Sequence, residues 1–334
     1  MKFHEHRLTA QDVKSLCWQG DVLIDWVAGG KRYHLDGSIQ DSHVRYAYRF
    51  DMATISPSGR YSAIYEKLGT KSLLLDNGKV IRELNRSFYY ANAYEYPIAL
   101  FYLPDGREAI AHCPERYNRL EIEDLATGER LTNNSDRKPR DYFISRLAAT
   151  GNGKFLLTAG WLWHPMDQIT IYDVEAALTD PRTLDSRGIG IELISDNNCA
   201  AFTENGKVIL TECSEVEEYE KEEDEIPIRV RVSNSLKVFD LISRNQLSTI
   251  ELEDRVGTIM PISSNLVVGF FEYPKLIDIE QGKIIHRWPS LKTGKQTSSI
   301  IWGIERLPPL ALDPANHRFA VATETEIEIV QIEP

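Results

Sequence analysis

Apolar and polar residues alternate over short runs along most of this chain, and helical spacing is scarce. In "YSAIYE" (61 to 66), Tyr61, Ala63 and Tyr65 fall on one face and Ser62, Ile64 and Glu66 on the other, which is the two-residue period of a β-strand. "RFAVAT" (318 to 323) alternates in the same way. The best helical candidate is "LTAQDVKSLCW" (8 to 18), and it fits a strand after a turn equally well. The pattern predicts an all-β protein.

These runs recur. The turn Pro57-Ser58-Gly59-Arg60 returns as Pro104-Asp105-Gly106-Arg107, then as Gly151-Asn152-Gly153-Lys154 and Glu204-Asn205-Gly206-Lys207. Gly59 to Gly106 is 47 residues, Gly106 to Gly153 is again 47, and Gly153 to Gly206 is 53. Weaker copies stand at Gln19-Gly20-Asp21, Ser263-Ser264-Asn265 and Asp313-Pro314-Ala315-Asn316, which brings the count to seven. Each turn sits between two strand-like runs and so predicts a hairpin. Further along each unit comes another strand ending near an acid, then a polar turn and a fourth strand, as in "SLLLDNGKVIREL" (72 to 84), "RLEIEDLATGERLT" (119 to 132), "ITIYDVEAALTD" (169 to 180) and "KLIDIEQGKIIHRW" (275 to 288).

Four-stranded units of this length, with a Pro-x-Gly turn after the first strand and an aromatic or aliphatic residue plus Asp closing the third, resemble WD-repeat and related β-propellers. Tyr172-Asp173, Phe239-Asp240 and Ile277-Asp278 stand where that family carries Trp-Asp. The resemblance implies an all-β, seven-bladed propeller filling residues 1–334 as one domain.

A ring must join its last unit to its first or leave open sheet edges. The final unit has only "LPPLALDP", "HRFAVAT" and "EIEIVQIEP" before the C-terminus, one strand short. The expected donor is "KFHEHRL" (2 to 8), antiparallel to "EIEIVQI" (326 to 332). Residues 214–234 are read as an insertion lengthening the loop between the second and third strands of the fifth unit, its acidic first half solvated.

Charge and composition narrow the function. The net charge is −12, which argues against nucleic-acid binding. Residues 215 to 225, "EVEEYEKEEDE", contribute −7 of it. Cys17, Cys113, Cys199 and Cys213 are far apart and form no C-x-x-C pair, so they read as reduced, buried small hydrophobes. No run of roughly 18 apolar residues is available for a membrane helix, and the first residues lack a signal-like apolar core. The expected location is cytoplasmic, the expected state a monomer.

Binding is expected where aromatics crowd the links between units. "NRSFYYANAYEYP" (85 to 97) carries Phe88, Tyr89, Tyr90, Tyr94 and Tyr96; "GWLWHPMDQ" (160 to 168) carries Trp161, Trp163 and His164; and Trp302 lies in the link before the last unit. Tyr and Trp join large apolar area to a polar tip, the chemistry of protein interfaces. "NNSDRKPRDY" (133 to 142) adds Arg137, Lys138 and Arg140 as a site for acidic groups or phosphate. Catalytic motifs are missing, and His112 beside Cys113 points to the opposite face of its strand. The chain therefore reads as a non-enzymatic scaffold for a protein or peptide partner, without a cofactor, binding through Tyr90, Tyr94, Tyr96, Arg140, Trp161, Trp163, His164 and Trp302. The alternative is a metal-dependent hydrolase, lactonase or lyase whose ligands converge at the channel mouth.

Overall fold

The structure, a computed structural model, describes residues 1–163, 166–196, 198–218, 229–301 and 303–333, with the side chains of 214–218 and 229–233 outside that description. It consists of seven antiparallel sheets. Blade 2 is typical: Met52–Ile55, Tyr61–Tyr65, Lys71–Asp76 and Lys79–Asn85 pair in sequence order. The first strands of neighbouring blades meet round most of the ring, so the first strands line the axis and the fourth strands form the rim.

The repeated residues have local causes. At Gly59, Gly106, Gly153 and Gly206 the backbone takes φ between 69° and 86°, a region open to glycine and costly for side chains. In blades 3, 5 and 6 the Asp closing the third strand caps the next turn: Asp124 Oδ1 accepts from the amides of Ala126 and Thr127, Asp240 Oδ1 from those of Ile242 and Ser243, and Asp278 Oδ1 from those of Glu280 and Gln281. At Asp173 the same cap starts a helix, Val174–Thr179, rather than the polar turn expected from the sequence.

Burial on both faces explains the strands. Seven apolar clusters fill the seven gaps between blades. Ala63 packs toward blade 3 with Ile98 and Ile110, while its neighbour Ile64 packs toward blade 1 with Ile24 and Trp26. Alternation thus sorts side chains between two interfaces, where an exposed sheet would sort them between core and water.

The ring closes as expected. Lys2–Thr9 lies antiparallel to Glu326–Glu333 in the register Phe3↔Ile332 and Leu8↔Ile327, as the outermost strand of blade 7. Residues 8 to 18 form no helix; Leu8 and Thr9 end that strand and Cys17–Gln19 opens blade 1. Blade 3 keeps three full strands, its fourth reduced to a bridge between Glu123 and Arg130. In blade 5 the insertion is not simply a longer loop: Lys207–Glu218 and Arg229–Asp240 stay paired out to Glu218↔Arg229, so the hairpin itself is prolonged. Residues 219–228 lie outside the described residues.

Candidate functional site

The links between blades, together with the turns between second and third strands, lie on one face of the ring. There the link 86–97 folds over blades 2 to 4. Arg86 holds it from beneath, donating from Nε to the Gly69 carbonyl (2.7 Å) and from Nη2 to the carbonyls of Ala91 (2.7 Å) and Tyr94 (3.1 Å). Its guanidinium also lies 4.5 Å from the Tyr94 ring centre and 4.8 Å from that of Tyr96. The buried cation is thus met by carbonyl dipoles and π faces.

Above this anchor the aromatics stack around Phe143. Its ring centre is 4.7 Å from Trp161, 4.5 Å from Tyr117, 5.0 Å from Tyr94 and 5.7 Å from Tyr89. Phe143 reaches this point because it pairs with the blade 4 strand Phe155–Trp163, its amide bonding the Trp161 carbonyl at 2.7 Å. Gly160 makes that approach feasible: a Cβ there would sit 2.1 Å from the Phe143 carbonyl oxygen. Tyr89, Tyr90 and Trp163 lie on the outer surface of the stack, exposed by 41, 46 and 44 %, and Phe88, next to them in the link, is exposed by 87 %. Tyr90 has φ 51°, a conformation bulky residues seldom adopt, and the Ala93 amide bonds its carbonyl at 2.9 Å.

Beside this shelf the axial opening is filled by the chain itself. The link from blade 6 to blade 7 crosses to the link between blades 2 and 3, where Glu95 N bonds the Ser299 carbonyl (2.9 Å) and Ile301 N the Ala93 carbonyl (3.1 Å). Gln296 bridges Lys67 Nζ (3.1 Å) and Glu95 Oε2 (2.8 Å). Burial opposes ionisation of Glu95, yet the cationic Lys67 and Arg146 hold its carboxyl below the usual range. Asp167 accepts from the Asn198 amide at 3.0 Å and from Ser298; burial outweighs these bonds and pushes its carboxyl up to about 7.

No family model matches this chain, and no curated protein matches it in sequence. Solved structures do. The β-propeller domain of Cps50 (Swd1) from Myceliophteria thermophila aligns over 99 % of this chain and 100 % of its own, with a TM-score of 0.53 at 14 % identity. Hydrazine synthase of Kuenenia stuttgartiensis aligns over 96 % of this chain and 97 % of its own, with 0.61 at 10 %. A chain in the mitotic checkpoint complex aligns over 100 % of this chain and 91 % of its own, with 0.58 at 9 %. The fold is a seven-bladed β-propeller.

The propeller gathers only some of the expected binding residues. Tyr90 and Trp163 are exposed and share the shelf, with ring centres 6.2 Å apart; Trp161 forms its nearly buried floor. Tyr94 and Tyr96 are buried, packed on Arg86 and on Tyr65, so they support the surface without touching its outside. Arg140 is paired with Glu192 Oε1 at 2.5 Å across to the next blade segment. Arg137 is fully buried against Asp185 at 2.8 Å, so "NNSDRKPRDY" is not the open cationic link its sequence suggests. His164 and Trp302 lie outside the described residues.

Sequence reading missed Arg86, Phe143 and Tyr117. Arg86 stands inside the quoted aromatic link, and a lone cation among five rings is a signal for a shared anchor; Phe143 gave none, since its neighbours arrive from distant links. At the blade 2–3 interface His112 Nε2 lies 2.9 Å from Glu123 Oε1, while Cys113 packs into the blade 3–4 cluster. Cys17, Cys113 and Cys199 are buried free thiols, and Cys213 is buried. Among the described residues no three metal-ligating side chains converge, and no helix is long and apolar enough to cross a membrane. The opposite mouth of the channel opens into a cavity of about 560 Å³ walled by first-turn residues including Phe202, Ile262 and Pro314, with Glu204 its one acid.

Proposed function

We propose that this propeller is a non-enzymatic interaction scaffold whose partner, a protein or peptide, docks on Phe88, Tyr89, Tyr90 and Trp163. The observation carrying the reading is that three exposed aromatic side chains, Tyr89, Tyr90 and Trp163, stand on a buried stack fixed by Arg86 and Phe143. Such rings lose little further freedom on binding, which is what concentrates affinity in aromatic anchors. The left-handed backbone at Tyr90 is a local cost, and it accompanies a ring held at the surface against Tyr89, Phe143 and Trp163. The neighbour in the mitotic checkpoint complex belongs to a protein assembly, which accords with this reading. The channel-mouth enzyme reading is less well served, because residues 296–301 occupy that mouth on the link face. Buried thiols accord with a cytoplasmic setting, and the acidic surface with a monomer that avoids nucleic acid.

Affinity capture on the intact chain should return a stoichiometric partner. A Phe88→Ala, Tyr90→Ala, Trp163→Ala variant, which spares Tyr94, Phe143 and Trp161, should bind it at least about tenfold more weakly while circular dichroism shows the propeller still folded. Tyr90→Gly relieves the backbone but gives up the ring's contacts with Phe143 and Trp161, and it should weaken binding while the chain stays folded. Unaltered affinity in the triple variant would place docking elsewhere.

A further inference from the structure

A second groove opens on the same face, in the sector of blades 7, 1 and 2. Its volume is about 860 Å³. We propose that it binds an acidic peptide segment of a partner protein.

On a chain of net charge −12, this groove collects Lys14, Lys31, Arg45, Arg49 and Arg306. Its acids are Asp12, Asp41, Asp51 and Glu66. Three of those four are already engaged: Asp41 accepts from the His43 amide (2.7 Å) and faces Arg45, Asp51 accepts from the Lys67 amide (2.7 Å), and Glu66 accepts from the Tyr48 hydroxyl (3.0 Å). Amide and hydroxyl donors leave these carboxylates charged, so five cations against four acids give the groove an excess of one positive charge on an acidic chain, with Arg306 acting on Asp51 from a distance. Lys14, Arg49 and Arg306 are exposed, and among the described residues their side chains make no hydrogen bond or ion pair.

Placement then selects the ligand. Lys14 comes from the link between blades 7 and 1, Arg49 from that between blades 1 and 2, and Arg306 from that between blades 6 and 7. Cations delivered by three links along an open groove suit successive carboxylates of an extended chain better than one compact anion. Tyr46, Tyr48 and Phe50 supply apolar wall, with Tyr48 and Phe50 ring centres 5.0 Å apart. The Tyr33 hydroxyl, in the same wall, is buried with no hydrogen-bond partner. None of the four shelf aromatics lines this groove, so the two sites fail or succeed separately.

The probe is a synthetic peptide with the sequence "EVEEYEKEEDE" found at 215 to 225, titrated by calorimetry against the full chain. Binding at about 50 mM salt should weaken at least about tenfold at about 300 mM, as expected for contacts between exposed charges. The Lys14→Gln, Arg49→Gln, Arg306→Gln variant should lose at least about tenfold with its melting curve unchanged. The shelf triple variant should bind the peptide normally. No measurable binding at low salt, equal binding of a peptide with every Glu replaced by Gln, or indifference to the cation variant would each overturn the proposal. A salt-sensitive dimer of the chain alone, abolished by the same three substitutions, would support it and identify the partner as a second copy.

Discussion

Arg86 shows how one residue decides a surface. Its hydrogen bonds close carbonyls from the 67–69 turn and the 91–94 turn onto a single guanidinium, and its faces carry two tyrosine rings. Removing it leaves several buried carbonyls without donors, each costing the penalty of an unmet polar group. Arg86→Ala should therefore destabilise the fold by about 2–4 kcal/mol in urea titration. Arg86→Lys should recover under half of that, because one ammonium cannot span the same carbonyls or stack between rings. A lysine variant as stable as the parent would show that charge, and not the planar fork, is what the site needs.

At the scale of elements, closure is the feature most exposed to test. The strand Lys2–Thr9 contributes Leu8 to the blade 7–1 cluster and places Phe3 against His286 and Trp288, with ring centres 4.3 and 5.3 Å away. Deleting residues 1–9 strips eight paired residues from the Glu326–Glu333 strand and bares one sheet edge. The melting temperature should fall by at least about 5 °C, given roughly 2–4 °C per kcal/mol for a large chain, and scattering should rise on heating. An unchanged melt would mean that blade 7 is stable with three strands. The helix Val174–Thr179 teaches a complementary lesson: Asp173 caps it as other blades' aspartates cap turns, and only the following residues, "VEAALT", tip the outcome.

Across the whole ring, two buried acids impose opposite pH trends. Burial opposes ionisation of Glu123, but the adjacent His112 imidazole and Arg82 guanidinium overcome it and hold its carboxyl at about 2, below its ordinary value. Its contribution is complete above the unfolded value and is lost as the pH falls toward 2. Asp167 moves the other way, to about 7, so the folded protein binds a proton the unfolded chain releases, and stability declines as the pH rises from about 4 to 7. These two groups together favour mildly acidic conditions. Asp167→Asn should flatten the decline between about pH 4 and 7 and raise stability at pH 8 by about 1–3 kcal/mol. An unchanged slope in the variant would assign the trend to other groups.

Repeat number, strand character, the hairpin turns, the terminal asparates' positions and the closing strand were all legible in the sequence, because each follows from contacts between residues close in the chain or from a period that recurs. Gly59 and its counterparts need φ above zero whatever surrounds them, and Asp240 caps its turn from two residues away. What lies on the outside was not legible. Tyr90 and Tyr94 share one link, yet one is half exposed and the other buried, since the difference depends on Phe143 and on residues 299–301 arriving from links far along the chain. Arg137 and Arg49 look equally solvent-bound in sequence, and only the fold gives Arg137 an aspartate while leaving Arg49 unpaired. Local backbone preference fixes blades, but burial and pairing of side chains on the links depend on which distant segments meet, and that meeting exists only once the ring has closed.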